Sequence, residues 1–119
     1  MANPVTKINL SIYKNSVYTH RFNINDANGV PVNLTGFTAL LDMRASSSAD
    51  PVLYQATSSD DITVNPAGYV VLEIPATTIE AWDFDSAQYD LVLQPAGVAA
   101  DSVCVARGSV VIYGNITDI

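Results

Sequence analysis

Apolar and polar residues alternate with period two along most of this chain, in runs of four to eight residues. Ile8, Leu10 and Ile12 alternate with Asn9, Ser11 and Tyr13. After a break at Lys14-Asn15-Ser16, Tyr18, His20, Phe22 and Ile24 alternate with Thr19, Arg21 and Asn23. Successive strand side chains point to opposite faces, so each run predicts a strand with one buried face. Asp26-Ala27-Asn28-Gly29 offers residues that tolerate left-handed backbone angles and predicts a turn. Val30-Pro31-Val32 is too short and too interrupted by proline for a central strand. Leu34 is expected in the core, with Thr35-Gly36 bending into a strand from Phe37 to Arg44. That strand puts Ala39, Leu41 and Met43 on one face and Thr38, Leu40 and Asp42 on the other.

Ala45 to Asp50 is small and polar and reads as a loop, with Pro51 opening a short strand through Ala56. Asp60-Asp61 and Asn65-Pro66-Ala67-Gly68 are turn signatures. They bracket Ile62-Thr63-Val64 and lead to a strand over Tyr69 to Ile74. Thr77-Thr78-Ile79-Glu80 has the form of a capping box, which predicts one or two helical turns. The last strands are expected over Gln88 to Gln94 and Ser102 to Tyr113, with a bulge at Gly108. Short strands at this spacing predict an all-β sandwich or barrel, and the segment before Tyr89 favours an immunoglobulin-like antiparallel β-sandwich of about seven to eight strands with one short helix. Asp85-Ser86-Ala87-Gln88-Tyr89 has the D-x-A-x-Y form that precedes strand F in such domains. Tyr89 is therefore expected to be buried, its hydroxyl bonded to backbone between Thr78 and Asp85. The whole of 1–119 reads as one domain, with possible terminal arms at 1–7 and 114–119.

Only 14% of the residues are charged, against roughly 25% in typical soluble domains. Hydrophobic residues reach 49%, yet no apolar run approaches the roughly 20 residues of a membrane-spanning helix. The N-terminus lacks the basic start and apolar stretch of a signal peptide, so synthesis in the cytoplasm is expected. A charge-poor chain of this kind often hides surface against neighbouring subunits. The net charge is −7, from twelve acids and five bases. Lys7, Lys14, Arg21, Arg44 and Arg107 are scattered and make no cationic stripe, which argues against nucleic-acid binding. The single cysteine, Cys104, excludes an intrachain disulfide and reads as a buried strand thiol.

Candidate chemistry is sparse. His20 is the only histidine, and no neighbouring acid or nucleophile suits it as a catalytic base. A partly buried, hydrogen-bonded histidine is the expectation, with a small hydrolase the remote alternative. Zinc needs several His and Cys ligands. Asp60/Asp61 and Asp83-Phe84-Asp85 lack the spacing of a calcium loop, so solvated or turn-capping aspartates are expected. No cofactor or metal is expected, nor a catalytic residue. N-x-[S/T] triplets at Asn9, Asn33 and Asn115 read as strand-end asparagines beside hydroxyl residues. Trp82 and Phe84 flank an aspartate after the helix, where they either plug the end of the sandwich or form an anchor for a partner. Val5 and Ile8 at one terminus, with Ile116 and Ile119 at the other, would be wasted apolar surface in a monomer. At least one of the two arms is expected to be ordered by a neighbouring subunit.

Several of these segments together resemble a family of small tailed-bacteriophage virion proteins, related in pattern to the N-terminal domain of phage baseplate upper proteins. The resemblance rests on Asp26-Ala27-Asn28-Gly29-Val30-Pro31-Val32-Asn33-Leu34-Thr35-Gly36-Phe37-Thr38, preceded by the break at Tyr13-Lys14-Asn15-Ser16. It continues through Gly68 to Ile74, Tyr89-Asp90-Leu91-Val92-Leu93, Gly108 to Ile112 and Asn115-Ile116-Thr117. It covers nearly the whole chain and departs from the pattern at Cys104-Val105-Ala106 and at the Trp82/Phe84 pair. The resemblance implies a non-enzymatic virion structural protein. It would be a multi-copy capsid decoration protein or a tail or baseplate accessory. Its partners would be other phage structural proteins of the capsid, neck, tail or baseplate, and further copies of itself, with no nucleic acid or membrane bound. The alternative is a carbohydrate- or receptor-binding module of a phage tail, with Trp82, Phe84 and Tyr69 as stacking platforms.

Overall fold

A computed structural model of the chain describes residues 6–14, 16–26, 28–46, 50–95 and 102–114. The alternating runs form β1 (Thr6–Lys7), β2 (Leu10–Tyr13), β3 (Tyr18–Asn23), β4 (Thr38–Arg44), β5 (Val52–Thr57), β6 (Ile62–Asn65) and β7 (Tyr69–Ile74). After helix α1 (Ala76–Glu80) come β8 (Ser86–Gln94) and β9 (Val103–Tyr113). Burial follows the period: Leu10 and Ile12, Ala39, Leu41 and Met43, Val70, Leu72 and Ile74, and Tyr89, Leu91 and Leu93 all face inward. Leu34, 1% exposed, joins them from the link before β4.

The larger sheet runs β1, β9, β8, β4, β5, with β2 continuing along the β1 edge of β9, and the smaller runs β3, β7, β6. With β1 and β2 counted as one strand, this is the strand order of an immunoglobulin-like sandwich: the second, fifth and sixth strands, β3, β6 and β7, oppose a sheet built around the last two. Eight strands result if β1 and β2 count as one. The expectation of a wholly antiparallel sandwich is corrected at that edge, where both β1 and β2 pair with β9 in parallel. Thr6 and Lys7 therefore belong to the sheet and not to a free arm, while 1–5 and 115–119 lie outside the described residues.

One register carries through the break between β1 and β2: Thr6 faces Ala106 and Leu10 faces Val110. Between them the Ile8 amide donates to the Arg107 carbonyl at 2.9 Å. The Ile8 carbonyl turns away from the ladder and accepts the Tyr89 hydroxyl at 2.6 Å. The Asn9 side chain takes over, with Oδ1 accepting the Ser109 amide and hydroxyl, both at 3.1 Å. Gly108 is required beneath this crossing, because a Cβ there would collide with the Ile8 carbonyl. Two expectations are corrected as a result. Tyr89 is buried as expected, but its hydroxyl bonds to Ile8, eighty-one residues away, and not to the segment from Thr78 to Asp85. Gly108 pairs in register with Tyr89 and is not a bulge. The irregularity lies where Leu91 faces Ala106 and Val92 faces Cys104. The extra residue, Val105, makes two consecutive side chains, Val105 and Ala106, point inward.

The helix begins earlier than a capping box would allow. Pro75 is its N-cap, with φ −61° and no side-chain cap bond, and its carbonyl accepts the Thr78 and Ile79 amides. The proline ring fixes the φ that the entry residue needs. Thr77 consequently lies inside the first turn and cannot act as the cap. Ile79 is fully buried beneath the helix. Across the two sheets the Phe22 and Tyr89 rings meet at 6.3 Å. No charged or polar residue is buried among the described residues, so apolar burial, about 25 cal/mol per Å², is what holds the layers together.

Candidate interaction surface

The residue types that carry catalysis or metal binding are dispersed. The His20 ring is half-buried between Tyr18, stacked at 6.4 Å, and Phe22, edge-on at 4.5 Å. Its described contacts are aromatic where a hydrogen bond was expected, and burial lowers its pKa. Across the ladder it faces Leu72, so no acid or nucleophile meets it there. Asp61 adopts φ 69° in the turn before β6 and accepts the Tyr54 hydroxyl at 2.6 Å. Burial is the first cause that raises the Tyr54 pKa, and the bond to Asp61 adds to it. No group of three or more His, Cys, Asp or Glu among the described residues could hold a metal ion. Asn33 takes the Thr35 amide and hydroxyl, at 3.0 and 2.7 Å, and thereby shapes the bend into β4.

Trp82 and Phe84 come together where α1 hands over to β8. Trp82 is only 8% exposed and packs on Tyr54 at 5.2 Å and Phe84 at 4.9 Å. Its carbonyl accepts Lys14 Nζ at 3.0 Å, which ties the β2–β3 turn to this corner. Trp82 is thus a plug of the core and does not protrude, while Phe84 lies half-buried over it. Val5, Ile116 and Ile119 fall outside the described residues. Tyr69 carries the Arg21 guanidinium 3.7 Å above its ring and accepts Asn65 Nδ2 at its hydroxyl, so that ring is already covered.

The surface that is left open is the outer face of the larger sheet. Six of the eight large hydrophobics exposed among the described residues belong to its strands: Tyr13, Leu40, Val52, Leu53, Val111 and Tyr113. Tyr13 and Tyr113 stack at 5.1 Å across the β2–β9 pair while remaining 53% and 44% exposed. Between these apolar ends lies a groove of ≈ 310 Å³ bordered by Arg44, Gln88, Asp90, Cys104 and Arg107. The half-buried Cys104 thiol donates to the Ala106 carbonyl at 3.5 Å. Burial raises its pKa, which keeps it in the unreactive thiol form. Its partial exposure, where full burial was expected, follows from the bulge at Val105, which leaves Cys104 on the outer side with Val92.

A row of charge crosses this face. Lys7 is opposite Arg107, Arg107 opposite Asp90, Asp90 opposite Asp42, and Asp42 opposite Gln55. Asp42 is satisfied locally, by Arg44 Nη2 at 3.1 Å and Gln55 Nε2 at 2.9 Å. Asp90 and Arg107 are exposed and carry no such bond. Sequence reasoning passed over the row because it exists only once β1, β9, β8 and β4 are placed side by side. The charges themselves looked scattered. No protein-family model matches the chain, and no curated protein does.

Proposed function

We propose that this chain is a non-enzymatic structural subunit of a bacteriophage virion. In this reading it is a multi-copy capsid decoration protein or a tail or baseplate accessory that works by protein–protein contact. The observation that carries the reading is the placement of exposed apolar side chains. In a domain with few charges, most of them are gathered on one sheet, where contact with other subunits would cover them. The residue pattern supports the same reading, since Asn33, Leu34, Tyr89 and Gly108 all act here in building the sandwich. No described helix is long and apolar enough to cross a membrane. The sugar-binding alternative draws less support, because Trp82 is enclosed and Tyr69 is covered by Arg21. Quantitative mass spectrometry of purified virions tests the proposal. The protein is expected at a reproducible stoichiometry, high for a decoration protein and low for a baseplate part. Its absence from virions overturns the reading.

A further inference from the structure

We infer that the outer face of the larger sheet is where two copies of this chain pair face to face about a two-fold axis. The pairing rests on the assembly role proposed above and names the surface and the partner. It is argued from the order of charge along one row. Lys7 and Arg107 occupy its first half and Asp90 and Asp42 its second, so the row is positive on one side and negative on the other. A two-fold axis lying between two such faces, parallel to the strands and centred between β8 and β9, reverses the row of the second copy. Arg107 of each copy then lies over Asp90 of the other, and Lys7 over Asp42. An isologous interface requires this kind of self-complementarity, and few charge orders supply it.

The same operation superposes Val92 on Cys104, neighbours in the ladder on the outer side, so apolar groups meet beside the charged row. Because Arg44 and Gln55 already engage Asp42, the Arg107–Asp90 contact is the one free to form between copies. Four strands overlap about this axis, β9 with β8 and β1 with β4, and at about 4.8 Å spacing and about seven residues of rise they cover roughly 400 Å². That is about half of the roughly 800 Å² per partner in a standard interface, so the pairing is a small one in which the charge contacts set the register.

The test is trans-complementation with the full chain. Wild-type protein is expected to dimerise in sedimentation velocity and native mass spectrometry, more weakly as salt is raised. Arg107→Asp places acid over acid in both symmetric contacts, and Asp90→Arg places base over base. Each variant alone is expected to lose affinity on the order of tenfold or more. Mixed in equal amounts, the two variants present opposite charges at both contacts, so the heterodimer, identified by its mass, should form where neither homodimer does. An intrachain role for the pair cannot produce that result, and both positions are exposed, so thermal melts of the variants should stay close to wild type. Three outcomes overturn the pairing: a wild-type chain that is monomeric at every concentration, single variants that dimerise like wild type, or a mixture that stays monomeric. A monomer that is nonetheless found in virions overturns this pairing alone; a dimer absent from virions overturns only the virion role.

Discussion

Tyr89, Gly108 and Asn9 act together to dock the first strand on the last. Tyr89→Phe keeps the ring but removes the donor to the half-buried Ile8 carbonyl, and the loss of such a hydrogen bond costs about 0.5–1.5 kcal/mol. Tyr89→Ala also removes the ring that meets Phe22 across the sheets, and truncating a buried aromatic costs about 3–5 kcal/mol. Urea unfolding of the two variants should separate these steps. Gly108→Ala forces a Cβ against the Ile8 carbonyl, where the contact is backbone and cannot swing away. A cost of about 1–3 kcal/mol is expected, together with faster hydrogen exchange in β1 and β2 than in β7. Protection of β1 and β2 equal to that of the wild type would contradict this account. That Tyr89 and Leu34 are inside was legible from their neighbours in sequence. That Tyr89 reaches Ile8 was not, because it depends on strands from the two ends of the chain lying side by side.

Elements were legible wherever a single strand's period decided them. β2, β3, β4 and β7 stand within a residue or two of the runs that predict them. The misreadings fall where two features compete for one position. Pro75 and Thr77 both suit a helix entry, and the proline prevails because its φ is already fixed. Thr77→Ala should therefore change stability by no more than about 0.5 kcal/mol, far from the roughly 1 kcal/mol expected of a lost cap. Ile79→Ala, which empties a fully buried site, should cost about 2–5 kcal/mol. A large loss from Thr77→Ala in chemical denaturation would reinstate the capping box. In the same way, Gly108 and Val105 both fit an irregular point in β9. Alternation breaks at Val105-Ala106, where the extra residue turns two consecutive side chains inward. The interaction surface was the least legible part, since Lys7, Arg107, Asp90 and Asp42 form a row only through cross-strand register.

The whole molecule couples its stability to pH through buried ring groups. Burial lowers the His20 pKa, so its neutral form is favoured in the fold. That contribution is complete above the unfolded value near 6.5 and is lost as pH falls through the folded one. The tyrosines act at the other end of the scale. Burial pushes the Tyr18 hydroxyl up to about 12 and is the first cause that raises Tyr54 and Tyr89 as well, followed at Tyr54 by the hydrogen bond to Asp61 and at Tyr89 by the neighbouring Tyr18. A phenol whose pKa is raised in the fold stabilises it fully below the unfolded value near 10. The contribution disappears as pH climbs through the folded value, because the unfolded chain then binds fewer protons. Two of these phenols also donate hydrogen bonds, to Asp61 and to the Ile8 carbonyl, and ionisation removes both. Stability should therefore hold level from about pH 7 to about pH 10 and fall steeply above it. The net charge of −7 adds self-repulsion as further negative charge accumulates. Tyrosinate absorbance followed together with circular dichroism should show part of the phenol titration delayed and then released with the loss of β structure. A smooth titration of every tyrosine near pH 10, with the β signal intact, would show that these rings are not held in the core as the fold requires.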